Sequence, residues 1–193
     1  MISGKGVIGM KIVYCTGNKF KLKVAQEALE PLGIEIEGRK IENLPEIQAD
    51  SIEEVAKYSS KYASEFLNLS VLKNDSGLII PALNNFPNAY TKYVEETITE
   101  NGILKLMNGV ENREAYFIEV LAYTEVGKEP VTFISKTEGT IANKAEGEYG
   151  WSYDRIFIPK GEEKTMACFP DDERWKFWTD AAYDKLADYI KNK

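Results

Sequence analysis

Two short segments of this chain carry residue types suited to phosphate chemistry. Thr16-Gly17-Asn18-Lys19-Phe20-Lys21 follows the apolar run Ile12-Val13-Tyr14-Cys15, and Asn74-Asp75-Ser76-Gly77-Leu78 follows Val71-Leu72. The first segment offers hydroxyl, amide and ammonium groups. A helix starting there adds unpaired backbone N–H groups and a positive dipole end, which attract phosphate. Lys21 sits one turn in and can fold back onto the same anion, with Lys19 and Lys23 adding charge. For an isolated segment the competing reading is Asn18 as an ordinary N-cap with solvated lysines. The second segment places a carboxylate, Asp75, beside the small Ser76-Gly77 pair. Such a group can hold a metal or take a proton from water. Its competing reading is a turn-forming Asp. Complementary chemistry at two strand ends predicts a nucleotide site at the edge of an α/β sheet.

The elements that must position these groups are legible as periodicity. Leu22, Ala25, Leu29 and Leu32 recur at helical spacing over Lys19 to Leu32, which Gly33 ends before a strand from Ile34 to Gly38. Ser51 precedes Glu54 by three, a capping-box pattern that opens a helix running to about Phe66. Strands are predicted at Val71–Asn74 and Leu78–Ile80, with Ser76-Gly77 as the turn between them. Thr99 to Met107 predicts a helix. Ala115–Thr124 and Val131–Thr140 predict an antiparallel pair, and Ile156–Ile158 a short strand. The tail from Asp172 to Ile190 predicts one helix with Trp175, Trp178, Ala182, Leu186 and Tyr189 on a shared face.

A third group of interest is Tyr149, Trp151 and Asp154. An aromatic ring can stack on a purine, and an acidic or backbone group can meet its edge. The plainer alternative makes both aromatics partly buried strand residues.

Taken in order, the motifs resemble the Ham1/ITPase family of nucleoside triphosphate pyrophosphatases. The resemblance runs from about Lys11 to about Thr165. It rests on the Thr16–Lys21 and Asn74–Leu78 segments, on Leu44-Pro45-Glu46-Ile47-Gln48, and on Ala82 to Tyr90, where Asn85 and Asn88 stand at usual glycines. Gly102 to Met107, Arg113 to Phe117 and Tyr149 to Pro159 complete it. It implies an α/β fold: an elongated, two-lobed protein around a twisted mixed β-sheet with a central cleft, as a single domain over 1–193, with 1–9 an extension ahead of a start at Met10. It implies Mg²⁺-dependent hydrolysis of ITP, dITP or XTP to monophosphate and pyrophosphate, by a homodimer. It assigns Glu46 and Asp75 to the metal, Asp75 and Lys21 to catalysis, and Thr16, Asn18, Lys21, Ser76, Tyr149, Trp151 and Asp154 to the substrate.

The sequence departs from that pattern in four places. Asn74 stands where a first acid is usual, which leaves Asp75 with both roles unless Glu46 carries the metal. Ser59 stands where a helix lysine usually faces the phosphates, with Lys57 and Lys61 on adjacent turns. Ser152-Tyr153 lengthens the aromatic segment, and Arg155 replaces a proline. The Ser-His-Arg that reads a purine edge is missing: the stretch is Lys176-Phe177-Trp178-Thr179-Asp180, and the chain has no histidine. Arg174, Lys176 or Arg155 takes over the missing donor, or selectivity has changed. Two other readings stay open: a non-catalytic nucleotide-binding paralogue and a Maf-like pyrimidine nucleotide pyrophosphatase.

Composition sets outer limits. With 193 residues and 44% apolar content the chain can bury one good core. A net charge of −7 argues against a general nucleic-acid surface, though not against a local nucleotide site. Two cysteines give no disulfide framework, and Cys15 has no histidine to activate it. No apolar run reaches membrane-spanning length, and the first nine residues lack the pattern of a signal peptide. A soluble cytoplasmic protein is expected.

Overall fold

A computed structural model of the chain describes residues 10–45, 47–179 and 181–193. The expected extension at 1–9 lies outside the described residues. The elements are β1 (Met10–Tyr14), α1 (Lys19–Leu29), β2 (Ile34–Gly38), α2 (Ile52–Leu67), β3 (Val71–Ile80), β4 (Phe86–Pro87), α3 (Thr91–Thr97), α4 (Thr99–Leu106), β5 (Glu114–Thr124), β6 (Val131–Ile141), β7 (Phe157–Pro159), α5 (Asp171–Arg174) and α6 (Ala181–Lys191). They form an α/β fold on one mixed sheet. Its strand order is β2-β1-β3-β5-β6-β7, with the short β4 on β3. β1 runs parallel to β2 and to β3, whereas β4 is antiparallel to β3 and β7 to β6.

The chain divides into two compact units, Met1–Asp75 with Val120–Ile134 and Asp180–Lys193, and Ser76–Glu119 with Ser135–Thr179. The first has its core in Ile12, Tyr14, Leu29, Ile36, Leu72 and Leu186. These are the inward faces of β1, β2 and β3 and the apolar stripes of α1 and α6. Ser51 caps α2 by accepting from the Glu54 N–H at 3.2 Å, which starts the helix where the sequence pattern places it. The helix is apolar on one side only: Ile52, Val55, Ala56 and Ala63 are all buried, as their spacing requires.

The second unit centres on Leu78, Ile103, Ile141, Tyr153, Phe157 and Met166. Arg113 binds it together. Its guanidinium donates to the carbonyls of Met107 at 3.0 Å and of Ile141 and Ala142, each at 2.6 Å. Desolvation lowers its pKa, a cost offset by three carbonyl contacts that tie the end of α4 to the end of β6. In the loop before α3, Asn85 and Asn88 have φ of +67° and +52°. Left-handed backbone is why glycine suits these positions, and asparagine is the side chain that tolerates it best.

Two expectations are corrected. The predicted turn at Ser76-Gly77 is absent: β3 runs unbroken from Val71 to Ile80. Its second half is buried by Leu78 and Ile80 in the second core, so apolar burial extends the strand through residues that locally favour a turn. The tail is not one helix. After α5 a 3₁₀ turn covers Trp175–Phe177, and Trp178 is extended with ψ of 146°. Phe177 and Trp178 pack on the second core, whereas Ala182 and Leu186 belong to the first. A helical hydrophobic period across both stretches hid the break.

Candidate active site

The phosphate-loop residues sit at the carboxyl end of β1. Asn18 is the N-cap of α1. Its side-chain oxygen accepts from the Lys21 N–H at 3.2 Å, and its own N–H donates to the Thr16 hydroxyl at 3.0 Å. The loop is thereby fixed as the capped start of a helix, the geometry from which backbone N–H groups could meet an anion. Cys15 donates its N–H to the Leu72 carbonyl at 2.9 Å, which fastens this end of β1 to β3. The ladder between them ends at Tyr14 and Leu72, so the following residues of β3 project past the end of β1. Those residues are Lys73, Asn74 and Asp75.

Lys21 folds back as expected, and its ammonium donates to the side-chain oxygen of Asn74. The start of α1 therefore contacts the residue next to Asp75. Asn74 is only 8% exposed, whereas Asp75 is half-buried and Ser76 exposed. Strand alternation puts Asn74 on the α1 side with Leu72, and Lys73 and Asp75 on the other side with Val71. Val71 packs with Val13, Cys15 and Ala63, and Leu44 of the Leu-Pro-Glu loop packs against that same cluster. Glu46 itself lies outside the described residues.

A cation missed by the sequence reading is Lys40. Its methylenes lie 3.6 Å from where a Gly17 side chain would begin, so the loop is flanked by a further ammonium stem. The signal was present in Arg39-Lys40 directly after β2, but only the parallel pairing of β1 with β2 brings it beside Gly17. Arg39 and Lys73 both act on the Cys15 thiol and favour its ionisation. Burial outweighs them and pushes the thiol up to about 11, which removes Cys15 as a nucleophile near neutral pH.

The α2 lysines pair with surface acids. Lys57 pairs with Glu53 at 2.7 Å and Lys61 with Glu129 at 2.5 Å, both on exposed surface. Ser59 is buried, and its hydroxyl has no hydrogen-bond partner among the described residues.

Tyr149, Trp151 and Asp154 lie together in the second unit, and neither aromatic is in a strand. Tyr149 is 49% exposed and Trp151 55%, against the alternative of buried strand residues. The loop is held by its backbone: the N–H groups of Glu148 and Tyr149 both donate to the Ala167 carbonyl, at 2.9 and 3.0 Å. Asp154 is 3% exposed and accepts from the Trp151 N–H at 3.3 Å. Burial is the largest influence on its carboxyl and pushes it up to about 6, against the Trp151 N–H and Arg174, which pull it down.

The three candidates for the missing donor are placed differently. Arg155 pairs with Glu100 of α4 at 3.2 Å. Lys176 lines an open hollow of about 340 Å³ with Lys136, Glu138 and Lys160. Arg174 lies beneath Trp151, 3.5 Å from Asp154.

Among the described residues no group of three or more acids, cysteines or histidines could cage a metal. Among the described residues, Asp75 supplies a hard anionic oxygen next to Asn74, the residue that Lys21 contacts. That suits Mg²⁺, which keeps several waters and uses one or two carboxylates together with substrate phosphates. No helix among the described residues is long and apolar enough to cross a membrane.

Comparison with known proteins gives the family and the fold of the chain. The Ham1 family model matches residues 12–187. A dITP/XTP pyrophosphatase of Methanopyrus kandleri is 45% identical over 184 residues, covering 95% of this chain and 97% of that protein. One of Thermococcus kodakarensis is 39% identical over 165 residues, covering 86% and 88%. The structure of a HAM1 protein from Coxiella burnetii superposes with a TM-score of 0.82 at 26% identity, covering 96% of this chain and all of that one. With a family match over nearly its whole length and relatives of this similarity, the chain belongs to the Ham1 family.

Proposed function

We propose that this protein hydrolyses non-standard purine nucleoside triphosphates, such as dITP, ITP and XTP, to the monophosphate and pyrophosphate. The observation that carries the reading is the tether from Lys21 to Asn74, beside Asp75, in a chain of the Ham1 family. Its relatives named dITP/XTP pyrophosphatases support the substrate class.

In this reading the N–H groups that open α1, with Thr16, Asn18 and Lys21, hold the triphosphate. Asn74 has a specific part in that. Its side-chain oxygen accepts from the Lys21 ammonium and so holds that side chain folded back over the start of α1. Asp75 takes a proton from the water that attacks the α-phosphorus. The bond to the oxygen bridging the α- and β-phosphorus breaks, and its electron pair leaves on pyrophosphate. Asp75 and Glu46 would hold Mg²⁺, which when bound neutralises phosphate oxygens and favours departure of pyrophosphate. Ser76 lies beside Asp75 and contacts the phosphates. Tyr149 and Trp151 offer stacking surfaces for the purine, and Asp154 fixes the loop that carries them. The working form is a homodimer in the cytoplasm, with the chain acting as one domain.

The test is pyrophosphate release across a panel of purine and pyrimidine triphosphates with and without Mg²⁺. Turnover of ITP, dITP and XTP that stops on chelation supports the reading. Tight nucleotide binding with no turnover would favour the non-catalytic paralogue, and preference for pyrimidines would favour the Maf-like alternative.

A further inference from the structure

The base-side loop rests on an arginine whose place the family pattern does not supply. Arg174 is 3% exposed, at the end of α5. Its Nη2 donates to Asp171 at 2.7 Å, and its Nη1 lies 3.5 Å from the Asp154 carboxylate with no hydrogen-bond partner of its own. The guanidinium carbon sits 5.6 Å from the Trp151 ring centroid and 5.7 Å from that of Trp175. Above it the chain makes a close approach. Gly150 has φ of +69°, and a side chain there would begin 2.0 Å from an Asp154 oxygen and 2.1 Å from Arg174 Nη1. Only glycine lets the loop lie on this pair.

This arrangement bears on the missing donor. A base-edge reader must present free N–H groups to the ligand. Arg174 is buried, and both of its terminal nitrogens face carboxylates. To reach a base it would have to abandon two anions and a low-dielectric site, which is strongly unfavourable for a buried charge. What it does touch is the underside of a ring that is more than half exposed. A cation against one part of an indole and a carboxylate on its backbone N–H together fix where the ring stands.

We propose that Arg174 is a positioning residue for the nucleobase platform: through Asp154 and the Trp151 ring it holds Trp151 ready to stack, and it does not read the base. This rests on the reading of Trp151 as a purine-stacking surface. Its consequence is that affinity for every purine depends on Arg174, while discrimination among purines does not.

The experiment compares the wild-type protein with Arg174→Met, Arg174→Lys and Gly150→Ala. The first readout is acrylamide quenching of Trp151 fluorescence, isolated by subtracting the Trp151→Phe signal in each background. The second is kcat and KM for ITP and ATP. Arg174→Met is expected to raise Trp151 quenching about twofold or more, and to raise KM for both nucleotides about tenfold, between the scales of an exposed and a desolvated cation–π contact. kcat and the ITP to ATP ratio should change little, and Arg174→Lys should recover part of the loss. Gly150→Ala disturbs the same pair without removing either member. It should give the same pattern, and it serves if Arg174→Met fails to fold by circular dichroism. A large fall in the ITP to ATP ratio with Trp151 quenching unchanged would overturn the proposal and make Arg174 the base reader. Unchanged quenching and unchanged KM in both variants would also overturn it. If the wild-type protein hydrolyses no triphosphate, the functional reading fails separately, and quenching still tests the support of Trp151.

Discussion

Replacing Asp154 by Asn should alter how stability depends on pH, and the structure fixes the sign. Burial sets the Asp154 carboxyl at about 6, against 3.8 for an exposed one. An acid with a raised folded pKa binds its proton more tightly in the folded state. Its favourable share is therefore complete below the unfolded value and is lost as pH rises through the folded value. The separation of roughly two pH units corresponds to about 3 kcal/mol. From pH 4.5 to pH 7.5, about 2 kcal/mol of that is lost, because the unfolded chain is already partly ionised at the lower pH. Asn cannot titrate, so the variant lacks this loss. Leaving Arg174 without a full anion at 3.5 Å shifts the variant by an amount that does not depend on Asp154 titration, so the informative quantity is the change in the gap. Urea unfolding of both proteins at the two pH values measures it. The gap should move by about 2 kcal/mol in favour of the variant as pH rises. A gap constant to within about 0.5 kcal/mol would show that Asp154 is not held in a desolvated site, and the reasoning about its pair with Arg174 would fall with it.

Asp75→Asn should lower kcat by about 10²–10⁴ while nucleotide binding survives, and near-normal kcat would remove Asp75 from the chemistry. Lys21→Ala should weaken triphosphate binding far more than binding of the free nucleoside, measured by calorimetry; equal weakening of both would contradict a phosphate role. With no Ser-His-Arg in the tail, the preference in kcat/KM for ITP over ATP and GTP should fall well short of the roughly 10⁴ that a charged edge reader can give. A preference of that size would mean another donor reads the base.

The parts of this protein that were legible in the sequence are those set by local rules. The Ser51 cap of α2 and the strand Ile34–Gly38 follow from spacing and residue type, and the structure has them where the pattern puts them; Asn18 caps α1, as the plainer reading of that segment has it. The motif order was enough to identify the Ham1 family, which the match over 12–187 bears out. What was hidden depends on tertiary context. Ser76-Gly77 favours a turn locally, yet Leu78 and Ile80 draw the strand on into a core. The tail keeps one helical period across residues that serve two different cores. Trp151 could be read as buried or exposed, and its exposure follows from the ties of its loop, among them those of Glu148 and Tyr149 to Ala167 and of the Trp151 N–H to Asp154. Lys40 reaches the phosphate loop through strand pairing alone, and the packing of Arg174 under Gly150 has no counterpart in spacing.

The central claim is attack of water at the α-phosphorus with pyrophosphate as the leaving group. Hydrolysis of ITP in ¹⁸O-labelled water tests it most directly, with the products resolved by mass spectrometry. One labelled oxygen should appear in inosine monophosphate, with pyrophosphate released unlabelled. Label in pyrophosphate would place the attack at the β-phosphorus, and release of orthophosphate with inosine diphosphate would place it at the γ-phosphorus. Either result would contradict the account.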